Sequence, residues 1–107
     1  MSLDALEVSL DVICTLRAPL ATIRARDPKL YDQIRRAASS VALNIAEGQG
    51  RQGRDRRHFW RIAAGSANEV RTALRVALAW GDLAPESVEP SLVLLDRVGA
   101  MLWRMTR

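Results

Sequence analysis

The residues whose types and spacing could do chemistry are concentrated in residues 44–60, NIAEGQGRQGRDRRHFW. Gly48, Gly50 and Gly53 fit the spacing G-x-G-x-x-G, which in dinucleotide-binding proteins lies between a strand and a helix. In those proteins the pyrophosphate of the cofactor contacts the N-terminus of that helix. Here apolar residues at helical spacing precede the glycines, so a helix C-cap followed by a flexible turn is the simpler interpretation. We therefore predict no nucleotide cofactor, and no other cofactor.

Five arginines lie within and just after this motif, and we call them the arginine turn: Arg51, Arg54, Arg56, Arg57 and Arg61. The formal net charge of the chain is +4, and residues 24–75 hold twelve Lys or Arg against five Asp or Glu. Guanidinium groups and exposed helical amides both bind phosphate, so the arginine turn is predicted to bind RNA or DNA. The alternative is that these side chains are only solvated, because 15 of the 16 basic residues in the chain are arginine.

Catalysis and metal binding have little support in the sequence. His58 is the only histidine, and its arginine-rich neighbourhood predicts a surface position. Cys14 is the only cysteine, which excludes an intrachain disulfide and a cysteine zinc cluster, and its place beside Ile13 predicts a core position. A di-iron bundle would use Glu-x-x-His pairs, which this sequence lacks. We predict that the protein is not an enzyme and has no catalytic residues and no metal site.

Apolar residues recur at three- and four-residue steps in four segments, which is typical of amphipathic helices. The predicted helices span residues of about 3–24, 28–48, 54–80 and 86–105. Asp27 and Pro28 are a start signal for the second helix, while Gly48 and Gly81 are stop signals for the second and third. Four such helices with short connections in 107 residues predict one domain, an all-α, up-and-down antiparallel four-helix bundle.

The second and third helices are expected to pack closely. Their antiparallel register sets the segment AASS of the second helix against AAGSA of the third, and small side chains allow the backbones to approach. The same register brings Arg36 near Glu69 and Glu47 near Arg57 or His58, and it places Asn44 on the apolar stripe. We predict that Arg36, Asn44, Glu47 and Glu69 form a polar network that fixes this register.

The third helix is expected to bury one apolar stripe: Phe59, Ile62, Ala63, Ser66, Val70, Ala73, Leu74 and Ala77. Trp60 lies off this stripe, which favours a functional or subunit-contact role for it. Trp80 and Trp103, near helix ends, are predicted to be packing residues within the bundle or between subunits. Four apolar residues lie off the strict stripes and indicate a spare apolar surface: Leu43, Trp60, Leu78 and Trp103.

The start of the chain gives an expectation about location. Residues 1–14 carry three acidic residues where a signal peptide would have a basic segment and an uninterrupted apolar run. No stretch approaches the roughly 20 apolar residues of a membrane-spanning helix. We expect a cytoplasmic protein without a membrane partner.

Two segments, QIRRAASSVALNIAEGQGR and FWRIAAGSANEVRTAL, resemble the bacterial 23S rRNA-intervening sequence protein family, also called four helix bundle proteins. The family pattern is Q-x-R-R-A, then S-x-x-x-N-I-A-E-G, a basic turn, F, and A-x-G-S-x-x-E. The matching residues are Gln33, Arg35, Arg36, Ala37, Ser40, Asn44, Ile45, Ala46, Glu47, Gly48, Phe59, Ala63, Gly65, Ser66 and Glu69. Trp60 departs from the pattern, since other members more often have a smaller or basic residue there.

The resemblance implies a four-helix bundle that assembles into a ring-like homo-pentamer. It also implies kinship with the accessory proteins of diversity-generating retroelements, which are basic pentamers that bind nucleic acid and a reverse transcriptase. It supplies no catalytic residues. We therefore expect a non-enzymatic homo-oligomer that binds RNA or other nucleic acid through the arginine turn. The alternative is a scaffold that docks an acidic partner protein and has no direct nucleic-acid role.

Overall fold

The computed structural model describes residues 2–107, and side chains from residue 4 onward. Within this range the chain forms four helices: α1 (Ser2–Arg26), α2 (Pro28–Gln49), α3 (Gly53–Trp80) and α4 (Pro85–Met105). Each helix packs against the next one along the chain, and α1 also packs against α4, which closes the bundle. The predicted all-α, up-and-down four-helix bundle is confirmed. None of the described helices is long and apolar enough to cross a membrane.

Local signals at two helix ends act as the sequence predicted. The Asp27 carboxylate accepts a hydrogen bond from the backbone N–H of Leu30 at 3.1 Å, and Pro28 occupies the first turn of α2. At the end of α3, Gly81 has a φ of 78°, a left-handed conformation that favours glycine. The N–H of Asp82 then bonds to the carbonyl of Ala77 at 2.9 Å, so α3 ends with its last carbonyls partnered.

The core is a single cluster to which all four helices contribute. Its large and fully buried side chains are Leu16 and Ile23 from α1, Ile34 and Ile45 from α2, Val70 and Leu74 from α3, and Val98 and Leu102 from α4. Removing such side chains from water is the main favourable contribution to folding, at roughly 1.5–3 kcal/mol for each.

The buried stripe of α3 differs from the predicted one at its N-terminal end. Trp60 is only 7% exposed, whereas Ile62 is 39% exposed and Phe59 is half-buried. The prediction that Trp60 is open for a functional or subunit contact is therefore wrong. Burying the largest apolar side chain removes the most area from water, and its indole N–H finds a backbone carbonyl inside the bundle. Ala67 then lies in the core in place of Ser66, which is half-buried.

Two pairs of hydroxyl groups join the helices across the bundle. Ser40 of α2 and Ser66 of α3 are hydrogen-bonded at 2.8 Å, which confirms the predicted pairing of the two small-residue segments. On the opposite side, Thr15 of α1 and Ser91 of α4 are also 2.8 Å apart. The Thr15 hydroxyl donates to the carbonyl of Val12, so the fully buried Ser91 hydroxyl is the donor in the pair.

The predicted spare apolar surface is present in part. Leu43 is 69% exposed and Trp103 is 61% exposed, but Trp60 is buried and Leu78 is half-buried. Trp80 is 75% exposed, so neither it nor Trp103 packs into the core of the bundle. The prediction of packing within the bundle is wrong for both, and packing between subunits stays a prediction.

We expect Thr15→Val to lower the free energy of unfolding by about 1–3 kcal/mol, because it leaves the buried Ser91 hydroxyl without its acceptor. The double variant Thr15→Val with Ser91→Ala should recover much of this loss, since it removes both polar groups. Urea unfolding of the parent, both single variants and the double variant measures the coupling. An unchanged midpoint for Thr15→Val would show that Ser91 turns to a carbonyl of its own helix instead.

Candidate nucleic-acid interface

The three glycines of the G-x-G-x-x-G match have three different environments. Gly48 was predicted to end α2 but lies inside it, buried, and a Cβ at this position would overlap the indole of Trp60. Gly50 is the actual C-cap, with a φ of −82° that other residues also adopt. Gly53 begins α3 with a φ of +57°, the left-handed region that favours glycine. As predicted, the motif connects two helices. In addition, its first glycine, Gly48, lies within α2 and allows a close contact with α3.

Trp60 and Arg56 together fasten the start of α3 to the end of α2. The indole Nε1 of Trp60 donates to the carbonyl of Ile45 at 3.1 Å. The guanidinium of Arg56 lies 5.4 Å from the centroid of the Trp60 ring and donates to the carbonyls of Gly48 at 3.1 Å and Gln49 at 3.2 Å. Carbonyls in the last turn of a helix lack partners within the helix. Arg56 therefore acts as a side-chain cap for α2.

Two further arginines of the turn also have partners within the chain. Arg51 forms ion pairs with Glu47 at 2.9 Å and Asp55 at 3.0 Å, and its guanidinium lies 4.9 Å from the centroid of Phe59. Hydrogen bonds to Glu47, and then to Asp55, raise the pKa of Arg51 above its ordinary value. The local charge of Arg51 is thus balanced by two carboxylates. Arg61 donates to the carbonyl of Thr106 at 3.2 Å, next to the end of α4.

Arg54 and Arg57 are different, because neither side chain makes a hydrogen bond or an ion pair with any residue in 4–107. Arg54 is exposed and Arg57 is half-buried, and both belong to the first turns of α3. The N-cap residue of this helix, Gln52, makes no side-chain capping bond. The first N–H groups of α3 are therefore left without a side-chain cap, beside two uncommitted guanidinium groups.

The predicted polar network is not a connected one. Asn44 donates to the carbonyl and the hydroxyl of Ser40, at 2.9 and 3.0 Å, within its own helix. Glu47 pairs with Arg51 and not with Arg57 or His58, so that prediction is wrong, and Glu69 accepts a long 3.4 Å bond from Gln33. Arg36 lines the same shallow groove as Glu69 but forms no ion pair with it.

The side chains that do cross between α2 and α3 are Ser40 and Ser66. Sequence reasoning treated these two serines as small packing residues and missed their hydroxyl groups as partners. The usable signal was that Ser40 lies one turn before Asn44, so that the amide and the two hydroxyls form one short chain of hydrogen bonds.

The remaining candidates for chemistry are dispersed. His58 is exposed, as predicted, and its ring meets Phe59 edge-on at 5.4 Å between centroids. Cys14 is exposed and not in the core, which corrects the prediction made for it. No group of three or more His, Cys, Asp or Glu side chains in the described part of the chain could hold a metal ion.

The contact between Gly48 and Trp60 predicts opposite effects for two glycine substitutions. Gly48→Ala should lower the free energy of unfolding by about 1–3 kcal/mol, because the added methyl group overlaps a packed indole. Gly65→Ala is the matched control, since Gly65 lies in α3 with open space around its Cβ position. It should raise stability by about 0.5–1 kcal/mol through helix propensity alone. Thermal unfolding followed by circular dichroism measures both, and shifts of the same sign would contradict the close contact.

A solved structure shares this fold, and a protein family shares this sequence pattern. The crystal structure of a protein of unknown function, from the S23 ribosomal protein family of Bacteroides thetaiotaomicron, superposes with a TM-score of 0.85. The match covers 96% of this chain and 98% of that one at 20% sequence identity, so it shows a shared fold alone. Among curated proteins none matches. The family described as 23S rRNA-intervening sequence protein matches residues 4–104, and the chain therefore belongs to this family.

Proposed function

We propose that this protein is a non-enzymatic, homo-oligomeric helical-bundle protein that binds RNA or another nucleic acid through the arginine turn. The observation that carries the proposal is the pair Arg54 and Arg57, which have no partner in residues 4–107 and flank the uncapped start of α3. Positive charge in the first turn of a helix, where Arg54 lies, costs about 0.3–1 kcal/mol because it opposes the helix dipole. A bound phosphate would offset this cost and would also accept hydrogen bonds from the free N–H groups.

The contacts of the other arginines narrow the proposed interface. Arg51 and Arg56 are held by carboxylates and by backbone carbonyls, so their role is to keep the turn in one shape. Arg54 and Arg57 are then the residues that contact phosphate, with Arg61 at the edge of the site. Contacts to phosphate position a protein on nucleic acid but do not distinguish bases, so we expect limited sequence specificity.

The family name and the exposed apolar side chains support the choice of RNA, the cytoplasmic location and the assembly into a homo-oligomer. The family name refers to 23S rRNA, which favours RNA as the nucleic acid and the cytoplasm as the compartment. Large apolar side chains that the bundle leaves exposed, Leu43, Trp80 and Trp103, support assembly into a homo-oligomer, and the family resemblance suggests a pentamer.

The proposal predicts that Arg54→Glu with Arg57→Glu abolishes most binding to a single-stranded RNA 20-mer, measured by fluorescence anisotropy at 50 and 200 mM salt. For the parent, binding should weaken steeply with salt because counterions are released on binding. Losing two phosphate contacts on a single strand should reduce the slope of log K against log salt by about 1.4.

The matched control for this experiment is Arg75→Glu with Arg97→Glu. Both side chains are exposed and make no hydrogen bond or ion pair with the described residues, and both residues lie outside the arginine turn. The change in net charge is identical, so the control separates local contact from the general effect of charge. Equal loss in both double variants, or no RNA binding by the parent at 50 mM salt, would overturn the proposal.

A second candidate is a scaffold that docks an acidic partner protein, and the surroundings of Trp103 favour it. Trp103 is 61% exposed and carries the Arg107 guanidinium 4.2 Å from its ring centroid. Exposed tryptophan and arginine are the residue types that dominate protein interfaces. Binding anchored on Trp103 would depend on salt less steeply than phosphate binding, would be lost in Trp103→Ala, and would be unchanged by substitutions at Arg54 and Arg57.

A further inference from the structure

A groove runs between α1 and α2, away from the arginine turn, and we call it the α1–α2 groove. Its volume is about 510 Å³. Leu16, Leu20 and Ala38 form its floor, and each is almost fully buried. A volume of this size lies within the range of about 300–1,000 Å³ that is usual for small-molecule sites.

The polar rim of the groove has charge of one sign. Arg17 and Arg24 line it from α1, and Arg35 lines it from α2. The described residues that line the groove include no Asp or Glu. The guanidinium groups of Arg17 and Arg35 form no hydrogen bond or ion pair with any residue in 4–107. Two guanidinium groups from different helices are thus available for an anion, and the planar donors of arginine suit the oxygen atoms of phosphate.

The same groove also offers a flat, polarisable surface. The guanidinium of Arg24 lies 5.6 Å from the centroid of the Tyr31 ring, and both side chains line the groove. Aromatic rings and guanidinium planes are the surfaces on which nucleic-acid bases stack. Ser39, also on the rim, is exposed and its hydroxyl makes no hydrogen bond with the described residues.

The form of the groove favours a small ligand over a protein. Because Leu16, Leu20 and Ala38 are almost fully buried, they expose little apolar area on which a partner helix could anchor a side chain.

We propose that the α1–α2 groove binds a nucleotide unit, with its phosphate on Arg17 and Arg35 and its base against Tyr31 and Arg24. The site is separate from the arginine turn, because Arg35 and the end of α2 at Gln49 are about 20 Å apart along the helix. The nucleotide unit is either a free nucleoside monophosphate or one segment of a nucleic-acid strand, since the two share this chemistry. The inference does not depend on the proposed function of the arginine turn.

The test uses adenosine monophosphate as the probe and isothermal titration calorimetry as the measurement. Arg17→Gln with Arg35→Gln should weaken its binding by about tenfold or more, because hydrogen bonds to a charged group are lost. Arg75→Gln with Arg97→Gln is the matched control and should bind adenosine monophosphate as the parent does.

Two partial ligands test the two halves of the groove. Adenosine, which lacks the phosphate, and inorganic phosphate, which lacks the base and the sugar, should both bind more weakly than the monophosphate. Tyr31→Leu, which keeps an apolar side chain but removes the ring, should weaken the binding of adenosine and of adenosine monophosphate.

The outcomes separate this site from the arginine turn and identify the source of the ligand. The variant Arg54→Glu with Arg57→Glu should still bind adenosine monophosphate, whatever becomes of its RNA binding. If Arg17→Gln with Arg35→Gln also weakens RNA binding, the groove takes part of a strand; if RNA binding is unchanged, it takes the free nucleotide. No binding of adenosine monophosphate by the parent, or equal binding by the Arg17 and Arg35 double variant, would overturn the inference.

Discussion

The contact between the indole of Trp60 and the backbone at Gly48 is the constraint on which the helix 2–3 end of the bundle depends. A side chain on Gly48 would occupy the space of the indole, so only glycine lets α2 and α3 meet at this distance. The bond from Trp60 to the Ile45 carbonyl then sets the rotation of α3, and Arg56 closes the end of α2. The position of every arginine in the turn follows from this arrangement.

Arginines of the same turn differ in how far they are available to a ligand, because their neighbours differ. Arg51 is balanced by two carboxylates and Arg56 is bound to carbonyls, whereas the guanidinium groups of Arg54 and Arg57 have no hydrogen-bond or ion-pair partner among the described residues. The net charge of +4 is therefore a poor measure of the charge available to a ligand. The charge left available to an anionic ligand belongs to a small subset of arginines, at the start of α3 and along the α1–α2 groove, whose guanidinium groups have no acidic partner in the described part of the chain.

The sequence predicted the number and order of the helices because their signals are local: apolar spacing, the Asp27 cap and the Gly81 stop. It failed at the start of α3, where Phe59, Trp60 and Ile62 are all apolar and allow more than one buried face. The size of the indole, the space above Gly48 and the Ile45 carbonyl together select Trp60, and the apolar spacing of the sequence does not show this combination. The polar network failed because Glu47 pairs with Arg51 one turn away and Glu69 meets Gln33 rather than Arg36, while the short Ser40 and Ser66 hydroxyls meet across the interface.

Arg56 ties the last turn of one helix to the first turns of the next, and this bears on how the molecule opens locally. Helix ends normally fray independently and exchange their amide hydrogens with solvent quickly. Here the end of α2 cannot unwind without releasing the Arg56 guanidinium and exposing the Trp60 indole beneath it. We therefore expect the two helix ends to open as one cooperative unit, with the amides of the final turn of α2 protected to nearly the same degree as those around Trp60.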